Sequence, residues 1–107
     1  MMYFYDFKES QEYSILDFIT YYDRGCVLKP HSDGTGTGRV CALLIYLNDK
    51  YDENDGGILI LDKKEKVIPI FGKVAIIDLQ NFDIEHEVTE VVSGLGRFAL
   101  LAFVTKK

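Results

Sequence analysis

The segment RVCALLIYLNDKYDENDGGILIL, residues 39–61, combines two apolar runs with a long polar stretch between them. The runs cover Arg39–Leu47 and Gly57–Leu61, and the polar stretch covers Asn48–Gly57. Short aliphatic runs that are bounded by Gly, Asn and Asp are typical of β-strands joined by turns. The segment therefore predicts two strands that are connected by a long turn.

The same alternation continues on both sides of this segment. The further runs are Gly25–Pro30, Lys66–Ile70, Lys73–Leu79, Glu85–Val92 and Arg97–Val104. The segment Ser10–Tyr22 fits either an amphipathic helix or a strand, and we expect a strand over Asp17–Tyr22. Eight strands are the number in a jelly roll of two facing four-stranded sheets, so we predict an all-β fold. The turns Asp33–Gly38 and Asn48–Gly57 would lie at the ends of the sandwich, where functional sites are usually built.

The composition limits the classes of function. The chain has 107 residues of which 48% are apolar, and this predicts one globular domain over residues 1–107. The formal net charge of −5 argues against a nucleic-acid partner, because affinity for a phosphate backbone is built from clustered Lys and Arg. We expect no membrane partner either, since no apolar run approaches the length of a membrane span.

The predicted compartment is the cytoplasm. The N-terminal residues lack the basic region followed by an apolar region that defines a secretory signal. The two cysteines, Cys26 and Cys41, lack CxxC spacing and lie in apolar, strand-like contexts. We therefore predict reduced, buried thiols rather than a disulfide or a zinc site.

The two histidines of the chain, His31 and His86, are candidate metal ligands. His31 is followed two positions later by Asp33, and residues two apart in an extended strand point the same way. An imidazole and a carboxylate could then reach one ion, and His86 would complete the ligand set of non-haem Fe(II) oxygenases. The alternative is that both histidines are ordinary strand-end residues with satisfied hydrogen bonds, because short motifs of this kind also occur by chance.

Arg97 begins the last apolar run, after a glycine-rich turn. If Arg97 points into the sandwich, it shares its face with Ala99, Leu101 and Phe103. A buried guanidinium needs an anionic partner, and its fork geometry suits a bidentate carboxylate. Tyr46 offers a second donor to the same group. The run is apolar on both faces, so an outward-facing Arg97, with Tyr46 as a plain core aromatic, stays open as the alternative.

Five motifs in one order resemble the 2-oxoglutarate and Fe(II)-dependent oxygenase superfamily, and within it the prolyl hydroxylase branch. The first, Tyr22-x-x-Gly25-x-x-Leu28-x-x-His31-x-Asp33, is similar to the family pattern YxxGxxYxxHxD. The others are Leu44-Ile45-Tyr46-Leu47-Asn48, Gly56-Gly57-Ile58-Leu59, His86-Glu87-Val88 and Gly94-Leu95-Gly96-Arg97-Phe98. The resemblance extends from about Tyr22 to Val104.

The resemblance implies a double-stranded β-helix fold and an enzyme that hydroxylates a C–H bond with release of succinate and CO2. Its cofactor would be Fe(II), with 2-oxoglutarate and O2 as co-substrates. The iron ligands, and thus the catalytic residues, would be His31, Asp33 and His86. The family-level substrate is a prolyl residue in a protein or peptide.

The same resemblance assigns a co-substrate pocket. Arg97 would pair with the C5 carboxylate of 2-oxoglutarate, with Tyr46 as a hydrogen-bond partner of that carboxylate and Leu59 as a wall of the pocket. Tyr22 and Leu28 would line the same pocket, although Leu28 replaces a tyrosine that is common in the family.

Other functions fit the same residues. The main alternatives are a catalytically inactive jelly-roll binding module and an oxygenase that acts on a small molecule. The acidic charge disfavours a nucleic-acid demethylase of the same superfamily, and the small number of histidines disfavours a cupin. Members of this branch usually carry N-terminal helices on the major sheet, whereas about twenty residues precede Tyr22. The chain is therefore expected to be a minimal version, to form a homodimer that covers an exposed apolar sheet, or to have lost catalysis.

Overall fold

The computed structural model describes residues 13–32, 34–94 and 96–106 of the chain. The strands are β1 (Tyr13–Tyr22), β2 (Leu28–His31), β3 (Arg39–Tyr46), β4 (Leu59–Leu61), β5 (Glu65–Val67), β6 (Val74–Asp78), β7 (His86–Val88) and β8 (Arg97–Lys106). A single turn of 3-10 helix, Glu53–Asp55, lies inside the long turn between β3 and β4. Within the described ranges, no helix is long and apolar enough to cross a membrane.

The strands form two antiparallel sheets of four strands each. The order in one sheet is β1-β8-β3-β6, and the order in the other is β2-β7-β4-β5. Every strand lies beside strands that are distant from it in sequence, apart from the β4–β5 hairpin. This strand order is that of a jelly roll. The predicted all-β fold with eight strands in two sheets is confirmed.

The strand bounds differ most from the predicted runs at β1 and β7. The first strand begins at Tyr13 rather than Asp17, because β8 supplies a partner for each of its residues from Tyr13 to Tyr22. The run Glu85–Val92 contributes only three residues to β7. The backbone after Val88 bonds instead to the turns around Cys26 and Asp55, since the Val91 and Val92 amides donate to the carbonyls of those two residues.

The core lies between the two sheets. Side chains of β3 alternate, so that Ala42, Leu44 and Tyr46 point inward and are buried. Facing residues of the other sheet complete the core, with Leu59 and Val88 almost fully buried. One end of this core contains the polar residues that form the candidate site.

The outer face of the β1-β8-β3-β6 sheet is apolar and exposed. Ile19 on β1 is 67% exposed and Ile76 on β6 is 66% exposed, and Ile15 and Tyr21 are about half exposed. Apolar patches of several hundred Å² on a surface are typical of faces that contact another molecule. The exposed apolar sheet anticipated from the sequence is therefore present, and the homodimer that would cover it stays a prediction.

The expectation that both cysteines are buried is wrong for Cys26. The chain between β1 and β2 makes a turn closed by the Cys26 amide donating to the Asp23 carbonyl at 3.0 Å, and Cys26 is exposed there. Cys41 lies on the outer side of β3 and is partly buried, and both thiols are free. Partial burial, with a smaller effect from the Asp78 carboxylate, raises the pKa of the Cys41 thiol.

The hairpin between β4 and β5 contains backbone strain that a substitution should relieve. Asp62 and Lys63 have φ values of 53° and 58°, and the Lys64 amide donates to the Leu61 carbonyl at 3.0 Å. Two central residues with positive φ are typical of a type I′ turn, which favours Gly at the second of them. We expect Lys63→Gly to raise the free energy of unfolding by about 1 kcal/mol, because an L-residue in the left-handed region is strained.

Urea denaturation measures this effect, with Lys64→Gly as the matched control. Lys64 is the neighbouring lysine and has no positive φ, so glycine there should leave the stability unchanged or lower it. An equal effect of the two substitutions would show that the turn stores no strain at Lys63.

Candidate metal and co-substrate site

The fold brings the two histidines together. His31 is the last residue of β2 and His86 the first residue of β7, and the two residues are paired in the register of these strands. Their ring centroids are 4.2 Å apart. The strand-end positions predicted for both residues are confirmed, and the two imidazoles can contact one small ion.

Both histidines are oriented by backbone carbonyls. Nδ1 of His31 lies 2.9 Å from the Lys29 carbonyl oxygen, and Nδ1 of His86 lies 3.3 Å from that of Ile84. A carbonyl only accepts, so Nδ1 is the donor in each of these hydrogen bonds, and this leaves Nε2 as the ring nitrogen that can bind a metal. Metal-binding histidines are commonly held in this way, with one ring nitrogen donating to the protein and the other on the metal.

The third predicted ligand, Asp33, lies outside the described residues. Within the described ranges there is no group of three His, Cys, Asp or Glu side chains that could hold a metal. The structure thus places two of the three predicted ligands side by side. The complete triad stays a prediction.

A cavity of about 230 Å³ lies between the sheets and joins the histidines to Arg97. Its wall is mostly aliphatic and aromatic. Among the residues predicted for the site, His31, His86, Arg97, Leu59, Tyr22 and Leu28 line it. His31, His86 and Arg97 are therefore among the few polar groups on a largely apolar wall, as in small-molecule sites where a few polar groups fix the orientation of a ligand.

Arg97 points inward and is only 1% exposed. Of the two orientations considered from the sequence, the structure has the one in which Arg97 shares the inner face of β8 with Ala99 and Leu101. Its guanidinium carbon lies 4.9 Å from the centroid of the Tyr22 ring and 5.1 Å from that of Tyr46. Stacking on aromatic rings partly compensates the burial of the charge.

The buried guanidinium of Arg97 is incompletely satisfied. Nη2 donates to the Tyr46 hydroxyl at 3.3 Å, but the buried Nε has no hydrogen-bond partner in the described part of the chain. Among the described residues, no carboxylate forms an ion pair with Arg97. A buried, unpaired charge is costly, so these donors fit a ligand that brings its own carboxylate.

Tyr46 does not line the cavity in this structure, but its hydroxyl contacts the Arg97 guanidinium. Its side chain is fully buried, and burial raises the pKa of the phenol, although the Arg97 charge opposes this shift. The phenol therefore remains protonated at neutral pH. Because its oxygen accepts from Arg97, its own proton points elsewhere and can be donated to a carboxylate held by the guanidinium.

The chain matches a known family model. The 2OG-Fe(II) oxygenase superfamily model matches residues 17–105, which is most of the chain. The chain belongs to this superfamily. Members use Fe(II), 2-oxoglutarate and O2. The paired histidines and the buried Arg97 of this oxygenase domain, which has no ion pair among the described residues, fit that requirement, because they offer imidazole ligands for iron and a cation for a carboxylate.

Solved structures share the fold of this oxygenase domain. A prolyl-4-hydroxylase of Pseudomonas putida matches with a TM-score of 0.75 and 21% identity over 87% of this chain and 52% of its own. A Trichoplax adhaerens prolyl hydroxylase, in complex with a hypoxia inducible factor peptide, matches with a TM-score of 0.71 and 24% identity over 87% of this chain and 46% of its own.

A viral collagen prolyl hydroxylase from Paramecium bursaria Chlorella virus-1, in a complex with 2-oxoglutarate, matches with a TM-score of 0.69 and 19% identity over 87% of this chain and 60% of its own. The oxygenase domain thus spans about half the length of these proteins, and at this level of identity the likeness concerns the fold. A comparison with curated protein sequences finds no match.

Sequence reasoning missed two residues of this oxygenase site. Arg39 lines the cavity, with its guanidinium carbon 4.2 Å from the Phe103 ring centroid. Alternation from Ala42 places Arg39 on the outer face, but a register shift between Arg39 and Cys41 turns it inward. Gly57 enters the sequence analysis only as part of a motif. A Cβ there would lie 2.6 Å from the Tyr51 hydroxyl and 3.0 Å from the Arg97 Cδ, so a larger residue would displace Tyr51 and press on Arg97.

Proposed function

We propose that the chain is a 2-oxoglutarate- and Fe(II)-dependent dioxygenase domain that hydroxylates a C–H bond, with release of succinate and CO2. The observation that carries the proposal is one cavity that is lined both by two adjacent histidines and by a buried Arg97, whose Nε has no hydrogen-bond partner among the described residues. A dicarboxylate that contacts a metal with one end and a guanidinium with the other fits this arrangement.

In this proposal, His31, Asp33 and His86 hold the iron. The carbonyls of Lys29 and Ile84 orient the two imidazoles before the metal binds, so little ordering is needed at that moment. Bound Fe(II) supplies the activation of O2 that the hydroxylation requires. The protein supplies the orientation of the reactants and a water-poor cavity.

The part of the cavity around Arg97 selects the co-substrate. Arg97 holds the C5 carboxylate of 2-oxoglutarate, and Tyr46 donates its hydroxyl proton to the same group. Tyr22 contacts the guanidinium through its ring face, and Leu59, which is 1% exposed, closes the apolar wall beside the ligand. Apolar walls keep water from competing for Arg97, which strengthens the guanidinium–carboxylate pair.

The proposed substrate is a prolyl residue in a protein or peptide. The support is the fold, which is shared with three prolyl hydroxylases, one of them bound to a peptide. An oxygenase of small molecules is the second outcome that a substrate screen has to distinguish.

Anaerobic titration tests the proposed function. Fe(II) and 2-oxoglutarate are added separately and then together to the purified protein, while the visible spectrum is recorded. A weak metal-to-ligand charge-transfer band that needs both additions is the expected result. If the protein is folded by circular dichroism but never shows the band, the chain is a binding module rather than an oxygenase. Succinate release in air with and without proline-rich peptides then tests the substrate.

A further inference from the structure

The side chain of Asn48 makes two hydrogen bonds that flank Arg97. Its Nδ2 donates to the carbonyl of Gly96 at 2.7 Å, and its Oδ1 accepts from the amide of Phe98 at 2.7 Å. Asn48 is 8% exposed and lies two residues after Tyr46, the last residue of β3. It is one of two buried polar or charged residues in the described part of the chain, and the other is Arg97 itself.

These two bonds take the place of backbone hydrogen bonds that β3 would make to β8 if it continued. The ladder between β3 and β8 runs to the pair Tyr46–Ala99, and the Leu47 amide adds a last bond to the Phe98 carbonyl. The carbonyl before Arg97 and the amide after it point to the same side of β8. With no further β3 backbone to bind them, the carboxamide of Asn48 takes the place of a peptide group.

Arg97 is therefore fixed from two sides. On one side it pairs with Tyr22 of β1, and on the other its neighbours are bound by Asn48. Gly96 lies close against the Tyr21 ring, because a Cβ at this position would clash with that ring. The position of the Arg97 guanidinium depends on this stretch of backbone. A displacement of about 1 Å at a binding group is costly.

We propose that Asn48 is a positioning residue that sets the direction of Arg97 for recognition of the distal carboxylate of a 2-oxo dicarboxylic acid. This inference rests on the proposed function for its ligand. It adds a residue that is absent from the cavity wall and contacts the site only through the backbone on either side of Arg97.

The first test uses the protein without ligand. The NMR signal of the Arg97 Nε–H group is assigned by its loss in Arg97→Leu, and its exchange with water is measured. In Asn48→Ala the exchange should become at least about tenfold faster, because the backbone that holds the buried guanidinium is loosened. Asn48→Asp is the second variant: it keeps the acceptor for Phe98 but puts a carboxylate oxygen in place of the donor to the Gly96 carbonyl, so it tests the donated bond by itself.

A matched control separates positioning from general loss of stability. Val104 lies on the same strand and is 5% exposed, and Val104→Ala removes buried apolar contacts but no hydrogen bond. Variants are compared at equal distance below their unfolding midpoints. Unchanged Arg97 exchange in both Asn48 variants, or an equal increase in Val104→Ala, would overturn the inference whatever the protein binds.

The second test asks what the position of Arg97 does. Affinities for 2-oxoglutarate and for pyruvate, which has the same 2-oxo acid end but no distal carboxylate, are measured in the presence of Fe(II) without O2. Asn48→Ala should weaken 2-oxoglutarate binding about tenfold, as removal of a supporting residue typically does, and leave pyruvate unchanged. In an Arg97→Leu background the same substitution should have no further effect.

The outcomes of the two tests are distinguishable. Equal weakening of both acids, or the same loss in the Arg97→Leu background, would show that Asn48 does not act through Arg97. If the wild-type protein binds neither acid while Arg97 exchange still depends on Asn48, the proposed function fails and the positioning of Arg97 by Asn48 stands.

Discussion

Replacing Arg97 with leucine is expected to weaken 2-oxoglutarate binding by at least about 100-fold, because a buried charge pair loses one partner, a change that costs about 3 kcal/mol. The same substitution should not destabilise the ligand-free protein. The guanidinium is buried with an unpartnered Nε, and a similar-sized apolar residue removes that cost. Stability and affinity are thus predicted to move independently.

Arg97→Lys is the control for charge. It retains a cation at the same position but lacks the planar fork, so its affinity should lie between those of the wild type and Arg97→Leu. Isothermal titration and urea denaturation of the same samples measure the two effects. Unchanged 2-oxoglutarate affinity in Arg97→Leu would show that the carboxylate binds elsewhere, and a large loss of stability would show that Arg97 is a structural residue.

The overall fold was predictable because it depends on features that a sequence displays. Eight runs with turn residues between them correspond to eight strands, and the alternation of Ala42, Leu44 and Tyr46 identifies the inner face of β3. The orientation of Arg97 was not predictable from the same pattern, because β8 is apolar on both faces. It is decided by the strands on either side, which pair Arg97 with Tyr22 and bring Tyr46 to its guanidinium.

The details that sequence reasoning missed are those that depend on distant neighbours. The position of Arg39 follows from a bulge, and the need for glycine at position 57 follows from the closeness of Arg97 and Tyr51. The role of Asn48 was equally hidden, although it stands in a quoted motif, because its two partners are 48 and 50 residues away. A pattern of residue types contains no information about such contacts until the strands are paired.

The candidate metal site was predictable to the extent that it depends on strand ends. The sequence positions of His31 and His86 suggested that the two could meet, and the pairing of β2 with β7 brings their rings to 4.2 Å. What spacing alone does not show is the orientation of each ring. The carbonyls of Lys29 and Ile84, which fix it, belong to the backbone and have no signature in residue type.

Loss of His86 is the second large effect that we expect. His86→Ala should abolish the charge-transfer band and reduce Fe(II) affinity by at least about 100-fold, since even the outer partners of metal ligands contribute 10- to 100-fold. The matched control is Glu87→Ala, because neighbouring side chains on β7 point to opposite faces and Glu87 does not line the cavity. His31→Ala and Asp33→Ala should behave as His86→Ala does, and each should abolish turnover. If the band survives in His86→Ala, or if both His31→Ala and Asp33→Ala retain turnover, this triad is excluded as the iron site. If Glu87→Ala loses the band to the same extent as His86→Ala, the loss is due to unfolding of β7.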